Sequence, residues 1–224
     1  MTPPPSDQLY FEDSGMPFDV HPLIPKEHIT RVVDIRDDGW CGYRAIASHV
    51  TGHQNDAVSI KQKMLQQLLD NIDFYEQNLW GGHKCITEEV LNRLRYQQNF
   101  GSSCASNFWM DAITELPIAA DAFGIPFAVY STSNNSAPPT LYLPHFSPQS
   151  KIRRSPGIIQ HVNGNHFVAL HVRRSISSIT WPSVSHLYLN ICIKAGISDP
   201  RYTHWRHLSI AAPPPIEPPA FLSV

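Results

Sequence analysis

Apolar residues recur with a helical period through the first half of the chain. The spacing i, i+3, i+4, i+7 is met first by Tyr43, Ile46, Ala47 and Val50. Gly52 then acts as a stop signal, so the pattern predicts a short amphipathic helix that begins directly after Cys41. The same template recurs in a second predicted helix at Leu65, Leu68, Leu69 and Ile72.

Capping signals predict two further helices. Thr87 is an N-cap candidate with carboxylates in the following turn, where the helix dipole favours them. Ile86 and Leu91 are spaced for a hydrophobic staple across that cap. A fourth helix is predicted from about Thr114 to Phe123, closed by Gly124.

Strand patterns follow the helices along the chain. Apolar runs at 127–130, 141–143, 158–162 and 166–172 predict strands. Asn163-Gly164 joins the last two runs, and this dipeptide between apolar segments is a strong hairpin signal. The run 166–172 is apolar on both faces, which suits a central strand covered on both sides. The run 187–193 is interpreted as another strand.

Proline-rich segments set the predicted domain boundaries. We expect a tail over 1–30, a folded domain over 31–174, an extension of uncertain structure over 175–210 and a second tail over 211–224, since polyproline stretches cannot form helix or central strand. The C-terminal tail could also serve as a polyproline ligand, although a solvated tail is the simpler interpretation.

Composition narrows the class of protein. The 224 residues are enough for one domain. The formal net charge of −2 does not favour a nucleic acid or an acidic lipid as a partner. No apolar run is long enough to cross a bilayer, and the stretch Met1 to Met16 lacks the features of a secretory signal, so we expect a cytoplasmic or nuclear protein. The four cysteines are then expected as free thiols, and no spacing of Cys or His predicts a metal site.

Cys41 is the first candidate for chemistry. A cysteine at a helix start lies beside unpaired N–H groups and the positive end of the dipole, which are expected to stabilise its thiolate. The backbone of Gly39, Trp40 and Cys41 could bind the oxyanion that forms when a carbonyl is attacked. The alternative is an inert, buried structural cysteine.

His166 is the second candidate. It is predicted to open a core strand directly after a tight turn, where an imidazole is fixed by the strand and yet reachable, as a general base must be. The alternative is a partly buried histidine that only satisfies its own hydrogen bonds.

Together these segments resemble the ovarian tumour (OTU) family of cysteine peptidases. The family's nucleophile motif D-G-x-C-x-x-R-A is matched by residues 38–45, and its histidine motif by residues 165–170. A third landmark, an aromatic stretch that opens a helix, is matched by residues 109–116, although Met110 stands where the family usually has glycine.

The resemblance implies an α/β fold with a small central sheet flanked by helices. It also implies a deubiquitinase that needs no cofactor, in which Cys41 is the nucleophile and His166 the base. The family often carries an acid two residues after the histidine, but Val168 occupies that position, so Asp38 is the provisional third member, with shaping of the turn as its alternative role.

The implied partner is ubiquitin, polyubiquitin or a ubiquitin-like modifier, bound by a monomer. Two alternatives stay open: a ubiquitin-binding module that has lost turnover, and a cysteine hydrolase of this fold that acts on another amide or ester.

Overall fold

A computed structural model describes residues 18–97, 100, 102–132, 138–146, 155–173 and 181–194, with backbone alone for 192–194. Most of the two predicted tails and of the extension therefore lies outside the described residues. Within the described ranges, the longest apolar helices fall short of what is needed to cross a membrane.

One six-stranded sheet organises the chain. Its strands are β1 Ile29–Val33, β2 Phe127–Ser131, β3 Thr140–Tyr142, β4 Gly157–Val162, β5 His166–Val172 and β6 Ser183–Val184. Their order across the sheet is β1-β5-β4-β2-β3-β6. The pairs β1/β5, β4/β5 and β2/β3 are antiparallel, while β2/β4 and β3/β6 are parallel. The sheet is therefore mixed, as expected of an α/β protein with hairpins.

Six α-helices lie within the described residues. They are α1 Cys41–Val50, α2 Ala57–Asp70, α3 Ile72–Phe74, α4 Lys84–Arg95, α5 Ala112–Phe123 and α6 His186–Lys194. A π-helical turn, Tyr75–Leu79, continues α3. Gly124 ends α5 in the left-handed conformation, and the Asp111 side chain caps its start by accepting from the Ile113 N–H.

The core has two parts because side chains alternate across the sheet. Phe127, Ile159 and Ala169 face the cluster formed with α1, α2, α4 and α5. Ala128, Ile158, Val168 and Leu170 face a second cluster, which Val20, Ile24, Trp181 and Tyr188 cover. The predicted fold class, an α/β fold with a small central sheet flanked by helices, is confirmed.

The predicted β4–β5 hairpin is also confirmed. Asn163 and Gly164 both take positive φ, 54° and 78°, which these two residue types tolerate best. The turn pairs Val162 with His166 at the first rung of the ladder. It thereby fixes where the side chain of His166 leaves the sheet.

Three local predictions need correction. The helix α4 begins at Lys84, so Thr87 lies inside it, and its hydroxyl donates to Glu76 instead of capping. The run 187–193 lies within the helix α6; its apolar residues contact both core clusters, so no single helical face stood out. In α2, Met64 and Leu68 are buried, whereas Leu69 is largely exposed.

The domain boundaries also extend beyond those expected. Val20 and Ile24, within the expected N-terminal tail, are buried in the second cluster. Trp181 and Tyr188, within the expected extension, are buried there as well. These segments complete the second face of the sheet.

Candidate active site

The loop that precedes Cys41 is held tightly against its neighbours. Gly39 has a φ of +77°, and a Cβ at this position would come within 2.5 Å of the Trp109 indole nitrogen and 2.8 Å of the Cys104 carbonyl oxygen. The Cys104 N–H also donates to the Asp38 carbonyl at 2.8 Å. Only glycine fits at position 39, and the segment 104–109 fixes the path of the chain into the helix α1.

Cys41 is the first residue of α1, and the residue as a whole is only 5% exposed. Burial raises its pKa, and the carboxylates of Asp37 and Asp38 act in the same direction. Backbone hydrogen bonds from Phe167 and Gly42 oppose this rise. The expected stabilisation of the thiolate by the helix start is therefore outweighed, and the neutral thiol is favoured in the free protein. A base is needed to remove its proton.

His166 is the first residue of β5, and its side chain is 14% exposed. The backbone of the next residue, Phe167, reaches the sulfur of Cys41. The strand that carries the candidate base thus runs past the candidate nucleophile. The structure thus brings Cys41 close to the start of the strand that His166 opens, although the two residues lie 125 positions apart in the sequence.

The carboxylate that approaches His166 belongs to Asp37. Its Oδ1 lies 3.7 Å from Nδ1 of the imidazole, an ion-pair distance that is too long for a hydrogen bond. The Asp37 side chain is 79% exposed. His166 Nδ1 is buried and has no hydrogen-bond partner among the described residues. A small movement of the exposed Asp37 side chain would supply one.

Asp38, the acid proposed from the sequence, is engaged elsewhere. Its Oδ2 accepts from Arg44 Nη2 at 2.6 Å, and both carboxylate oxygens lie 3.1 Å from Arg44 Nε. The guanidinium of Arg44 is fully buried and also donates to the Gln54 carbonyl. This geometry matches the alternative role for Asp38, in which it shapes the turn before the nucleophile.

The candidate oxyanion hole is smaller than the sequence suggested. The Trp40 N–H donates to Asp38 Oδ1 at 3.1 Å, so this group is already occupied. The N–H of Gly42 is directed at the sulfur of Cys41. Of the three groups named from the sequence, Gly39 and Cys41 remain as candidate donors to an oxyanion.

A cleft of about 290 Å³ opens beside Cys41. One wall is the start of α5 with Met110 and Ile113, and another is the hairpin with Asn165 and Phe167. Met110 packs directly on Gly42, where a Cβ would meet the methionine side chain at 2.6 Å. Cys41 itself lines the cleft, whose walls are largely apolar.

Two further cysteine side chains are described, and Cys104 lies beside the loop that precedes Cys41. Among the described side chains, Cys85 is an exposed free thiol and Cys104 a buried one. In the same ranges, no three His, Cys, Asp or Glu side chains are grouped so as to hold a metal ion.

Comparison with known proteins adds the following. No protein-family model matches the chain, and no curated protein matches it significantly. The chain is similar to the OTU domain protease of Qalyub virus, with 14% identity over 62% of this chain and 82% of that one and a TM-score of 0.42. It is similar to the OTU domain of OTUD1, with 16% identity over 62% and 84% and a TM-score of 0.42. It is also similar to the OTU domain protease of Dera Ghazi Khan virus, with 18% identity over 66% and 83% and a TM-score of 0.40.

All three solved structures are OTU domains, the family that the sequence motifs resemble. The chemistry of this chain is inferred below from its own side chains. One residue of the site, Asp37, was missed in the sequence. In the sequence, two adjacent aspartates precede Gly39. Which of them is free to face His166 depends on which one Arg44 binds, and that is visible only in the tertiary structure.

Proposed function

We propose that this chain is a cysteine isopeptidase that releases ubiquitin, or a ubiquitin-like modifier, from lysine side chains of other proteins. The observation that supports a cysteine hydrolase best is the juxtaposition of Cys41 with the start of β5, where His166 lies beside Asp37. The substrate class is carried by the motifs at 38–45 and 165–170, which resemble those of OTU peptidases.

In the first half of the reaction, His166 takes the proton of the Cys41 thiol, and the sulfur attacks the carbonyl carbon of the modifier's last glycine. The carbonyl oxygen becomes an oxyanion, for which the N–H groups of Gly39 and Cys41 are the candidate donors. When the tetrahedral intermediate collapses, the carbon–nitrogen bond breaks and His166 returns its proton to the leaving lysine amine. The modifier is then held as a thioester.

In the second half, a water molecule attacks the thioester carbonyl and gives one proton to His166. Collapse breaks the carbon–sulfur bond, the sulfur regains the proton, and the modifier leaves with a free carboxylate. Asp37 orients the imidazole, because a carboxylate near Nδ1 favours the tautomer whose other nitrogen faces the sulfur. No cofactor enters this sequence.

A ubiquitin derivative with a C-terminal electrophile tests the proposal. We expect a covalent adduct at Cys41 with the native protein and none with Cys41→Ala. Cys85→Ala is the matched control, because this exposed thiol lies on α4 and should leave labelling intact. Binding of the probe without an adduct, in a protein with native circular dichroism, would contradict turnover.

That last outcome would instead support a ubiquitin-binding module without activity. The raised pKa of the Cys41 thiol and the 3.7 Å separation of Asp37 from His166 favour this alternative. Absence of both binding and labelling would point to a cysteine hydrolase with another amide or ester substrate. A panel of diubiquitins would then define linkage preference if the probe labels Cys41.

A further inference from the structure

A buried lysine lies behind the nucleophile loop. Lys61, on α2, is fully buried, and its Nζ donates to the Tyr96 carbonyl at 2.6 Å. The same ammonium lies 4.3 Å from the centre of the Trp40 ring and 4.4 Å from that of Tyr43. A buried ammonium is costly unless it is paired or faces aromatic rings, so this arrangement needs an explanation.

The position of Trp40 depends on this cluster. Its side chain is 1% exposed, and within the described part of the chain its indole N–H is buried without a hydrogen-bond partner that could orient the ring. The ring instead stacks on Tyr96, with centroids 5.8 Å apart, and meets Phe100 edge-on at 5.4 Å. The aromatic rings of this cluster surround the positive charge of Lys61. Trp40 is bonded to Cys41, so a shift of this ring moves the peptide that leads into the nucleophile.

We propose that Lys61 is a positioning residue for the nucleophile: its ammonium group, held between Trp40, Tyr43 and the Tyr96 carbonyl, fixes the peptide that carries Cys41. The effect on the cleavage rate rests on the proposed function. A second measurement, the chemical reactivity of Cys41, does not depend on any substrate.

The charge of Lys61 is sensitive to pH. Burial lowers its pKa from 10.5 to about 8, while Glu115 and Cys104 act to raise it. Tyr43, which also faces the ammonium, has a pKa well above its usual value because it is buried, and it stays neutral in this range. The ammonium is therefore present below about pH 8 and lost above it. The contacts with the rings weaken when the charge is lost.

Three variants separate this role from a purely structural one. Lys61→Met keeps a long side chain and removes the charge. Lys61→Arg keeps a charge that does not titrate in the accessible range. Lys63→Met is the matched control, because Lys63 lies on the same helix and is exposed.

With a ubiquitin-aminocoumarin substrate, we expect Lys61→Met to lower kcat by roughly tenfold, the scale of a desolvated cation–π contact, with little change in KM. Native protein should lose kcat above about pH 8, and Lys61→Arg should regain part of kcat and shift this loss to higher pH. Lys63→Met should behave as native protein. The inference would be overturned if Lys61→Met and native protein had equal kcat. It would also be overturned if Lys61→Arg lost kcat above about pH 8 as native protein does.

Alkylation of Cys41 by iodoacetamide provides the independent readout. We expect Lys61→Met to alkylate at Cys41 several times faster than Lys63→Met, because a loosened Trp40 uncovers the buried sulfur. If the native chain does not cleave ubiquitin substrates, the proposed function fails but this comparison still decides the inference. Identical alkylation rates in two variants with equal thermal stability would reject it.

Discussion

At the scale of single residues, two adjacent aspartates have different partners. Asp37 is exposed and faces His166, whereas Asp38 binds the buried guanidinium of Arg44. Removal of Asp38 leaves a buried charge without its partner, and a loss of this kind typically costs about 3–5 kcal/mol of stability. Removal of Asp37 breaks no buried contact.

We therefore expect Asp37→Ala to lower kcat by about tenfold or more, toward the losses known when a triad acid is changed, and to leave the melting temperature near the native value. Asp38→Ala should instead lower the melting temperature. Rates on ubiquitin-aminocoumarin and thermal unfolding of both variants are the measurements. A folded Asp38→Ala protein that has lost activity, beside a fully active Asp37→Ala protein, would return the role to Asp38.

The reactivity of the thiols is a second prediction at this scale. Burial raises the pKa of Cys41, and only the thiolate alkylates, so Cys41 in the free protein should react more slowly than the exposed Cys85 at pH 7. Its rate should continue to rise at alkaline pH. Mass spectrometry after timed iodoacetamide treatment measures both sites in one sample. Faster labelling of Cys41 at pH 6–7 would show that the helix start outweighs burial after all.

At the scale of elements, much of the pattern could be predicted. The helix after Cys41, the end of α5 at Gly124 and the Asn163-Gly164 hairpin depend on local signals, and all three are present. The predictions that failed depend on distant partners. Thr87 matches the pattern of an N-cap, but its hydroxyl donates to Glu76. The run 187–193 has apolar residues on two sides because it packs between two clusters.

The candidate site shows the same division. Cys41 and His166 could be chosen from their own segments, since each lies next to a helix start or a turn. The partners of Asp37 and Lys61 could not, because both contacts are made across the fold, and the choice between the two roles of Asp38 required the position of the Arg44 side chain. The fully buried Lys61 was not singled out, as lysine is ordinarily a surface residue.

A buried carboxylate joins three helices. Glu115 of α5 is fully buried and accepts from Tyr43 of α1 at 2.5 Å and from Arg93 of α4 at 2.6 Å. We expect Glu115→Ala to cost up to about 3 kcal/mol, because it leaves the buried Tyr43 hydroxyl and the partly buried Arg93 guanidinium without their shared acceptor. Replacement of Glu88, an exposed carboxylate of α4, is the control and should change little. Chemical denaturation measures both, and equal stabilities would mean that the network contributes nothing.

At the scale of the whole molecule, two partly buried histidines link α1 to the sheet. His49 near the end of α1 donates from Nε2 to the Ile158 carbonyl of β4 at 2.9 Å, and its ring lies 4.6 Å from that of His171 in β5. Burial lowers the pKa of His49 to about 3, with His171 and Arg31 acting in the same direction. Burial likewise lowers the pKa of His171 to about 4. Both are neutral in the folded protein at pH 7.

The sign of the pH effect follows from these values. Above pH 6.5, the ordinary pKa of histidine, both residues are neutral in the folded and unfolded states, so they impose no penalty. Between pH 6.5 and about 3, the unfolded chain binds protons that the folded chain excludes at His49, so stability falls as the pH falls. For His49 alone the slope approaches about 1.4 kcal/mol per pH unit in this window.

We therefore expect His49→Gln to be less stable than the native protein at pH 7, since the ring packs against Phe127, but to lose less stability between pH 6.5 and 4. His53→Gln, an exposed site three residues after α1, is the control for loss of a histidine.

The measurement is the free energy of unfolding from urea titrations at half-unit pH intervals. Taking the difference between variants removes the contribution of carboxylates that titrate in the same range. Parallel pH profiles for native protein, His49→Gln and His53→Gln would mean that His49 binds its proton equally well in both states, and that the contact between α1 and the sheet opens to water before the chain unfolds.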